Sequence, residues 1–287
     1  MSVPKDPAKI DAWRKKMAKV DPDLHKDYFE TISTEEQAYF LGLLITDGNV
    51  YRNRLELTLN KSDEAILLRL RDELGLSRPL LYSEKTRSAR FIVGCDKLIA
   101  DLAKWGVIPN KTLIASAPDL PPDLQRHFWR GAIDGDGCIQ FTQNRAVFSF
   151  CGSLALVQAF KVFTLPYLDR EYSIYPQRNI YYYRMAGENA YRVMKVLYEN
   201  TTIYLPRKHE SFLTVKAYFE QRTYSSKYVG VSFTPDKNKF VVRSSLNGKY
   251  VHIGYFENEI EAAKAYDAFT IKHGLNRRLN FSQTSDD

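Results

Sequence analysis

The apolar positions change period along the chain, and each change marks an element. Ala38 to Ile45 is apolar on every side, so the helix it predicts is buried all round rather than amphipathic. It is far too short to cross a membrane. Ser33 or Thr34 stands at its N-cap, with Glu36 and Gln37 behind in the manner of a capping box. Residues 51–60 then alternate strictly, which predicts a strand. Leu55, Leu57 and Leu59 turn to a core, and Arg54, Glu56, Thr58 and Asn60 turn away. A helix over 63–74 ends at Gly75. Strands near 79–83 and 89–94 follow, then a helix over 96–105. The connector 106–123 is proline-rich and therefore extended.

From Pro122 the same order recurs, and such a repeat is a strong architectural signal. A helix runs to Gly137. Strands over 138–142 and 146–151 form a hairpin around Gln143-Asn144-Arg145, with Ile139, Phe141, Phe148 and Phe150 inward and Gln140, Thr142 and Ser149 outward. A helix over 154–163, strands over 171–175 and 180–185 around Pro176-Gln177-Arg178-Asn179, and a helix over 190–198 complete it. A further helix is predicted over 210–222. Upstream, 10–20 predicts a short basic helix with Trp13, Arg14, Lys15, Lys16 and Lys19, lying on a polyanion or forming a solvated face. Beyond residue 226 the pattern gives three strands, over 226–233, 239–245 and 250–255. The last two turn at Asn247-Gly248, a strong hairpin signal, and an amphipathic helix follows over 257–272. The fold class is α+β: an extension over 1–32, a core over 33–222 in two repeats (33–117 and 118–222), and a small domain over 226–282.

Two stretches echo each other. Phe40-Leu41-Gly42-Leu43-Leu44-Ile45-Thr46-Asp47-Gly48 and Trp129-Arg130-Gly131-Ala132-Ile133-Asp134-Gly135-Asp136-Gly137 share a Gly five residues before an Asp and another straight after it. Gly42 and Gly131 suit a close helix crossing. Gly48 and Gly137 are expected to end their helices in the left-handed conformation. Asp47 and Asp136 then sit at helix C-termini, where the macrodipole disfavours a carboxylate by about 0.3–1 kcal/mol. Asp-Gly is also an ordinary turn dipeptide, but two copies with one spacing favour a paired site. Parallel packing would bring the carboxylates together, and a hard divalent cation with oxygen ligands would neutralise them.

Both stretches resemble the motif of LAGLIDADG homing endonucleases, and the resemblance covers roughly residues 33–220. It implies two αββαββα repeats with saddle-shaped antiparallel sheets, motif helices at their interface, and catalytic metal, Mg2+ or Mn2+, on Asp47 and Asp136. Ile45 departs from the motif, which has its first Asp there, while Asp134 keeps it. Trp129 and Arg130 replace Leu and Ala. The resemblance also implies a role for a basic residue near the end of each repeat in polarising the attacked phosphate or the water. The matching residues are Lys111 in Ile108-Pro109-Asn110-Lys111 and Lys208 in Leu205-Pro206-Arg207-Lys208, where a cation would stabilise developing charge.

A twisted sheet fits a DNA major groove roughly 12 Å wide. The candidate contacts are Asn53, Arg54, Lys85, Arg87, Gln140, Arg145, Gln177, Arg178 and Arg184, on outward strand positions and turns. Residues 226–281 resemble the ethylene-response-factor (APETALA-type) DNA-binding domain through Lys227-Tyr228-Val229-Gly230-Val231, Ile253-Gly254-Tyr255-Phe256, Glu261-Ala262-Ala263-Lys264-Ala265-Tyr266-Asp267 and Leu279-Asn280-Phe281. Ser232 stands where that family commonly has Arg, and Phe240 where it commonly has Trp. Lys239, Arg243 and Lys249 are the candidate contacts there.

Composition agrees with a polyanionic partner: 287 residues carry a net charge of +7. Cys95, Cys138 and Cys151 show no metal-binding spacing and read as reduced, buried, intracellular thiols. No signal peptide or membrane span is read, and the compartment expected is the cytoplasm or nucleoid. The expectation is a single-chain, monomeric, site-specific DNA endonuclease of a mobile element, and the resemblance implies a double-strand break with short 3′ overhangs. The alternative is a non-cleaving binder on the same fold, either an RNA-splicing maturase or a DNA-binding regulator. A metal-dependent enzyme on another substrate has only the carboxylates in its favour.

Overall fold

Thr34 stops the chain and starts a helix. Its hydroxyl accepts from the Gln37 amide, and the Gln37 side chain returns to the Thr34 amide, closing a capping box. The helix, α1 (Glu35–Thr46), buries every residue from Ala38 to Ile45, as its uniform apolarity predicts. The computed structural model describes residues 23–221 and 225–281. The basic helix predicted over 10–20 and the end of the one predicted over 210–222 lie outside them.

Strands β1 (Gly48–Tyr51), β2 (Arg54–Asn60), β3 (Leu81–Ser83) and β4 (Ser88–Gly94) form an antiparallel sheet in the order β1-β2-β4-β3. Helix α2 (Glu64–Glu73) lies between β2 and β3 in sequence, and α3 (Asp96–Lys104) follows β4. The single strand predicted over 51–60 is in fact a hairpin. Arg52 and Asn53 both take the left-handed conformation, so the chain reverses and Tyr51 pairs with Arg54. Arg in the first turn position hid a two-residue hairpin whose usual signal is Asn-Gly.

The second repeat follows the same order. Helix α4 (Pro122–Asp136) leads into β5 (Gly137–Thr142), β6 (Arg145–Gly152), α5 (Leu154–Thr164), β7 (Ile174–Gln177), β8 (Ile180–Ala186) and α6 (Glu188–Tyr198). The sheet order is β5-β6-β8-β7. Its core face carries Phe148, Phe150, Tyr183 and Met185, all buried. The turn predicted over 176–179 narrows to Arg178-Asn179, because Gln177 still pairs with Ile180. Helix α7 (Pro206–Glu220) starts four residues earlier than predicted. Proline suits a first helical position, where its missing amide is no loss.

The described residues divide into two units, one running to Phe163 and including Ser173–Val215, the other comprising Thr164–Tyr172 and the residues from Lys216. The second contains β9 (Val231–Thr234), β10 (Lys239–Leu246), β11 (Lys249–Phe256) and α8 (Glu259–Lys272), with sheet order β11-β10-β9. Its core is Val231, Val242, Ala262, Ala263 and Tyr266. Asn247 and Gly248, both left-handed, make the predicted hairpin turn. Asp267 closes the unit by accepting from the backbone amides of Asn280 and Phe281. Among the described residues, no helix is long and apolar enough to cross a membrane.

Candidate metal and nucleic-acid site

Small residues decide how α1 meets α4. A Cβ on Gly42 would overlap the Phe128 carbonyl and stand 2.8 Å from the Ala132 amide nitrogen; one on Gly131 would overlap the Tyr39 carbonyl. A Cβ on Gly135 would overlap the Thr46 hydroxyl. These pairs advance together along both helices, so the helices run parallel and their C-terminal ends meet.

Asp47 and Asp136 therefore share one neighbourhood. Both residues are exposed, though the protein packed behind each carboxylate limits its hydration. Burial, then the facing Asp136, pushes the Asp47 carboxyl up to about 6 against the pull of Lys208 and Lys111. Burial likewise raises Asp136, opposed by the same two lysines.

Gly48 and Gly137 do not take the expected left-handed conformation. Asp47 caps α1 with helical dihedrals, and Gly137 is extended, with φ −88° and ψ 163°. Each helix passes straight into a strand folded back over its last turn. A Cβ on Gly48 would stand 2.6 Å from the Leu44 carbonyl oxygen, and one on Gly137 2.6 Å from that of Ile133. Close approach, not a positive φ, demands the glycine.

The two lysines are buried rather than solvated, each keeping about one-twentieth of its surface exposed. The Lys111 ammonium donates to the Gly48 carbonyl. The Lys208 ammonium donates to those of Ile133, at 3.0 Å, and Gly137. Each lysine thus holds the residue just after its own repeat's aspartate. Burial lowers both ammonium pKa values, and the nearby carboxylates oppose that shift.

The outward sheet faces carry the other candidates. In the first repeat Arg54 is half-buried on β2, Asn53 is exposed at the turn with its amide on Asp96 Oδ1 at 3.0 Å, and Lys85 and Arg87 are exposed in the β3–β4 loop. In the second, Gln140, Arg145, Gln177, Arg178 and Arg184 are all exposed. Cross-strand register sets Cys138, Ser149 and Arg184 in one row and Cys151, Tyr182 and Tyr175 in the next. Tyr175 stacks on Tyr182 with centroids 6.3 Å apart. In the second unit Lys239 is half-buried and pairs with Glu257 at 3.4 Å, while Arg243 and Lys249 are exposed.

Three features escaped the sequence reading. Exposed Asn49 and Arg90 share the outward face of the first sheet; Arg90 stands beside Thr58. Of the cysteines only Cys95 is buried; Cys138 is exposed and Cys151 half-buried, because strand alternation turns both outward between core residues. Last, a buried polar network surrounds Asp134 and Arg130. An arginine inside an otherwise apolar helix face was the signal for it.

The donor set suits a hard cation. Asp47 and Asp136 offer carboxylate oxygens, and among the described residues no group of three or more His, Cys, Asp or Glu side chains could hold a metal. The remaining ligands would be water and substrate oxygens, as magnesium prefers.

No family model matches the sequence, and no curated protein matches it. Among solved structures, the chain is similar to the I-LtrWI LAGLIDADG homing endonuclease bound to target DNA, with 11% identity over 68% of this chain and 91% of that one and a TM-score of 0.44. It is similar to the LAGLIDADG meganuclease I-AabMI bound to uncleaved DNA, with 11% identity over 62% and 88% and a TM-score of 0.46. It is also similar to full-length DUF199/WhiA from Thermatoga maritima, with 12% identity over 70% and 67% and a TM-score of 0.43. At these identities and scores the likeness is a loose one, and it carries no activity with it.

Proposed function

We propose that the chain is a site-specific, double-strand DNA endonuclease that hydrolyses one phosphodiester on each strand. The observation that carries this reading is the pair of solvent-accessible carboxylates, Asp47 and Asp136, at the joined ends of two parallel helices crossed at glycine. Stability alone would not place two acids at the negative ends of two helix dipoles. Magnesium or manganese held by Asp47 and Asp136 would supply charge neutralisation and Lewis acidity at the scissile phosphates.

The chain's own groups do the rest. Strands β1 and β5 begin at Gly48 and Gly137, so a duplex lying on the two outward faces would cross the carboxylate pair. Arg184 and Gln140 suit base edges in the major groove, and Lys85, Arg87 and Arg145 suit phosphates. Lys111 and Lys208 fix the carbonyls beside the two acids and place positive charge where the phosphorane builds negative charge. The second unit, through its resemblance to an APETALA-type domain, would bind DNA with its three-stranded sheet and add affinity by tethering.

A second reading has one observation in its favour. Two buried lysines already set two cations against two carboxylates, so the centre approaches charge balance without metal. That suits a DNA-binding regulator or a maturase that does not cut. Cleavage of a DNA library, or of DNA flanking the gene's own insertion site, separates the two. A discrete double-strand cut with magnesium, absent with calcium and lost in Asp47→Asn or Asp136→Asn while binding survives, is the expected result. Tight, sequence-specific binding with no cut under any metal would sink the nuclease reading.

A further inference from the structure

The second motif helix carries charge where the first is apolar. Asp134 stands two residues before Asp136, at the position Ile45 holds before Asp47. It is fully buried. Its Oδ2 accepts from the Tyr39 hydroxyl and the Leu205 amide, both at 2.7 Å, and its Oδ1 from the Tyr198 hydroxyl at 2.7 Å. Arg130, one turn earlier and equally buried, donates to the Ile203 carbonyl at 2.7 Å and the Leu197 carbonyl at 3.1 Å. Its Nη2 lies 3.0 Å from His127 Nδ1 and donates to Glu35 at 2.7 Å, reaching the first helix. Carboxylate and guanidinium together bolt the strap between α6 and α7 to α4.

Lys208 lies three residues beyond Leu205, and its ammonium reaches back to Ile133 and Gly137. In the first repeat the matching strap is Ile108-Pro109-Asn110-Lys111. There the Ile108 amide donates to the Gly106 carbonyl at 3.1 Å, just before the strap, and the Ile45 side chain offers no acceptor. One lysine is carried by a strap fastened to the motif helix. The other is carried by a strap whose first amide bonds to the turn just before it.

We propose that Asp134 is a positioning residue for Lys208, and that it makes the two halves of the centre unequal, so that its loss slows scission of one DNA strand and spares the other. The strand-specific part rests on the endonuclease reading; the positioning part does not. A displacement of about 1 Å in a positioned group is enough to lower a rate on the order of 10²-fold. Asp134 is buried beside the strap and accepts from the Leu205 amide, so its removal strips that amide of its partner just before the helix that carries Lys208, while leaving Lys111 on its own support.

The test compares full-length wild type with Asp134→Leu and Asp134→Asn. Leucine keeps the bulk and removes every acceptor. Asparagine can keep the Leu205 bond through its oxygen while its amide donates to the Tyr198 hydroxyl oxygen. Each strand of a target duplex is labelled separately and its cleavage rate measured. The expected result is one strand slowed about 10²-fold in Asp134→Leu, the other near wild type, and near-normal rates for Asp134→Asn. In the same samples, without DNA, lysines are modified with an amine-reactive acylating reagent and mapped by mass spectrometry. Lys208 is expected to become reactive in Asp134→Leu while Lys111 stays as in wild type. Unchanged Lys208 labelling, or equal slowing of both strands, overturns the proposal. If wild type cuts no DNA but Lys208 alone becomes reactive, the endonuclease reading falls and the positioning role stands. Should Asp134→Leu fail to fold, hydrogen exchange of the Leu205 amide in wild type decides: core-like protection supports the anchor, and exchange as fast as an exposed loop overturns it.

Discussion

Gly42 and Phe128 touch backbone to backbone: the α-carbon of one lies where a side chain of any size would enter the carbonyl oxygen of the other. Tyr39 and Gly131 repeat the relationship across the same crossing. Neither obstacle is a flexible side-chain end, so the helices themselves would have to part. Gly42→Ala or Gly131→Ala is expected to destabilise the first unit by about 3 kcal/mol or more, at the upper end of overpacking effects. Urea titration checks this, and a loss under about 1 kcal/mol would mean the crossing is looser than described.

The Asp47 carboxyl, pushed up from 3.8 to about 6 by burial and by Asp136, gives a signed pH dependence. Between those values the folded chain holds a proton that the unfolded chain has released, so this group's contribution to stability falls as pH rises through the window and is flat above it. Asp47→Asn has no charge to bury. In metal-free buffer it is expected to melt above wild type near about pH 7, with the gap closing near about pH 4. An equal gap at both would place its origin elsewhere.

Lys208→Met retains the buried stem and removes the ammonium from the Ile133 and Gly137 carbonyls. On the endonuclease reading, cleavage is expected to fall on the order of 10²-fold with DNA affinity little changed. Single-turnover rates and gel-shift titration separate the two effects. Parallel loss of both would assign the lysine to binding.

On the DNA-binding reading, Arg184 and Lys85 should fail differently. Arg184 lies on the outward face of β8, level with Ser149. Arg184→Ala is expected to lower affinity by about 1–3 kcal/mol and relax selectivity at one target position. Lys85, in an exposed loop, is suited to phosphate. Lys85→Ala should weaken all sequences alike and reduce the salt slope by about one. Binding measured on substituted targets across a salt series distinguishes these outcomes.

In the second unit Asp267 accepts from the Asn280 and Phe281 amides at 2.9 Å each while keeping little exposed surface. Asp267→Ala strands those donors and is expected to remove about 1–3 kcal/mol. Faster hydrogen exchange confined to β9–β11 and α8 would confirm that the effect is local to this unit.

Periodicity carried much of this architecture. Leu55, Leu57 and Leu59 alternate cleanly enough to place β2 and its buried face, and the all-apolar run from Ala38 to Ile45 marks a helix covered on every side. The doubled Gly-x4-Asp-Gly spacing located the crossing and the carboxylate pair. What stayed hidden depends on contacts between distant segments. The turn at Arg52-Asn53 takes its shape from the strands it joins. Burial of Lys111 and Lys208 depends on carbonyls 63 and 71–75 residues away. The Asp134 network joins Tyr39, Tyr198 and Leu205, and no local window holds all of them. The glycines after each aspartate serve close approach rather than a left-handed stop, and in sequence a helix stop and a tight return over the helix look alike.

The all-round apolarity of α1 also has a cost during synthesis. Tyr39 meets its partner Asp134 only after a further 95 residues have been made. At ribosomal rates of about 5–20 residues per second, that leaves a greasy, partnerless helix waiting roughly 5–20 s for the half of the protein that will cover it. In this chain the helix that fixes the position of Asp47 is thus also a nascent-chain hazard, and yield in the cell should depend on how quickly α4 follows it out of the ribosome.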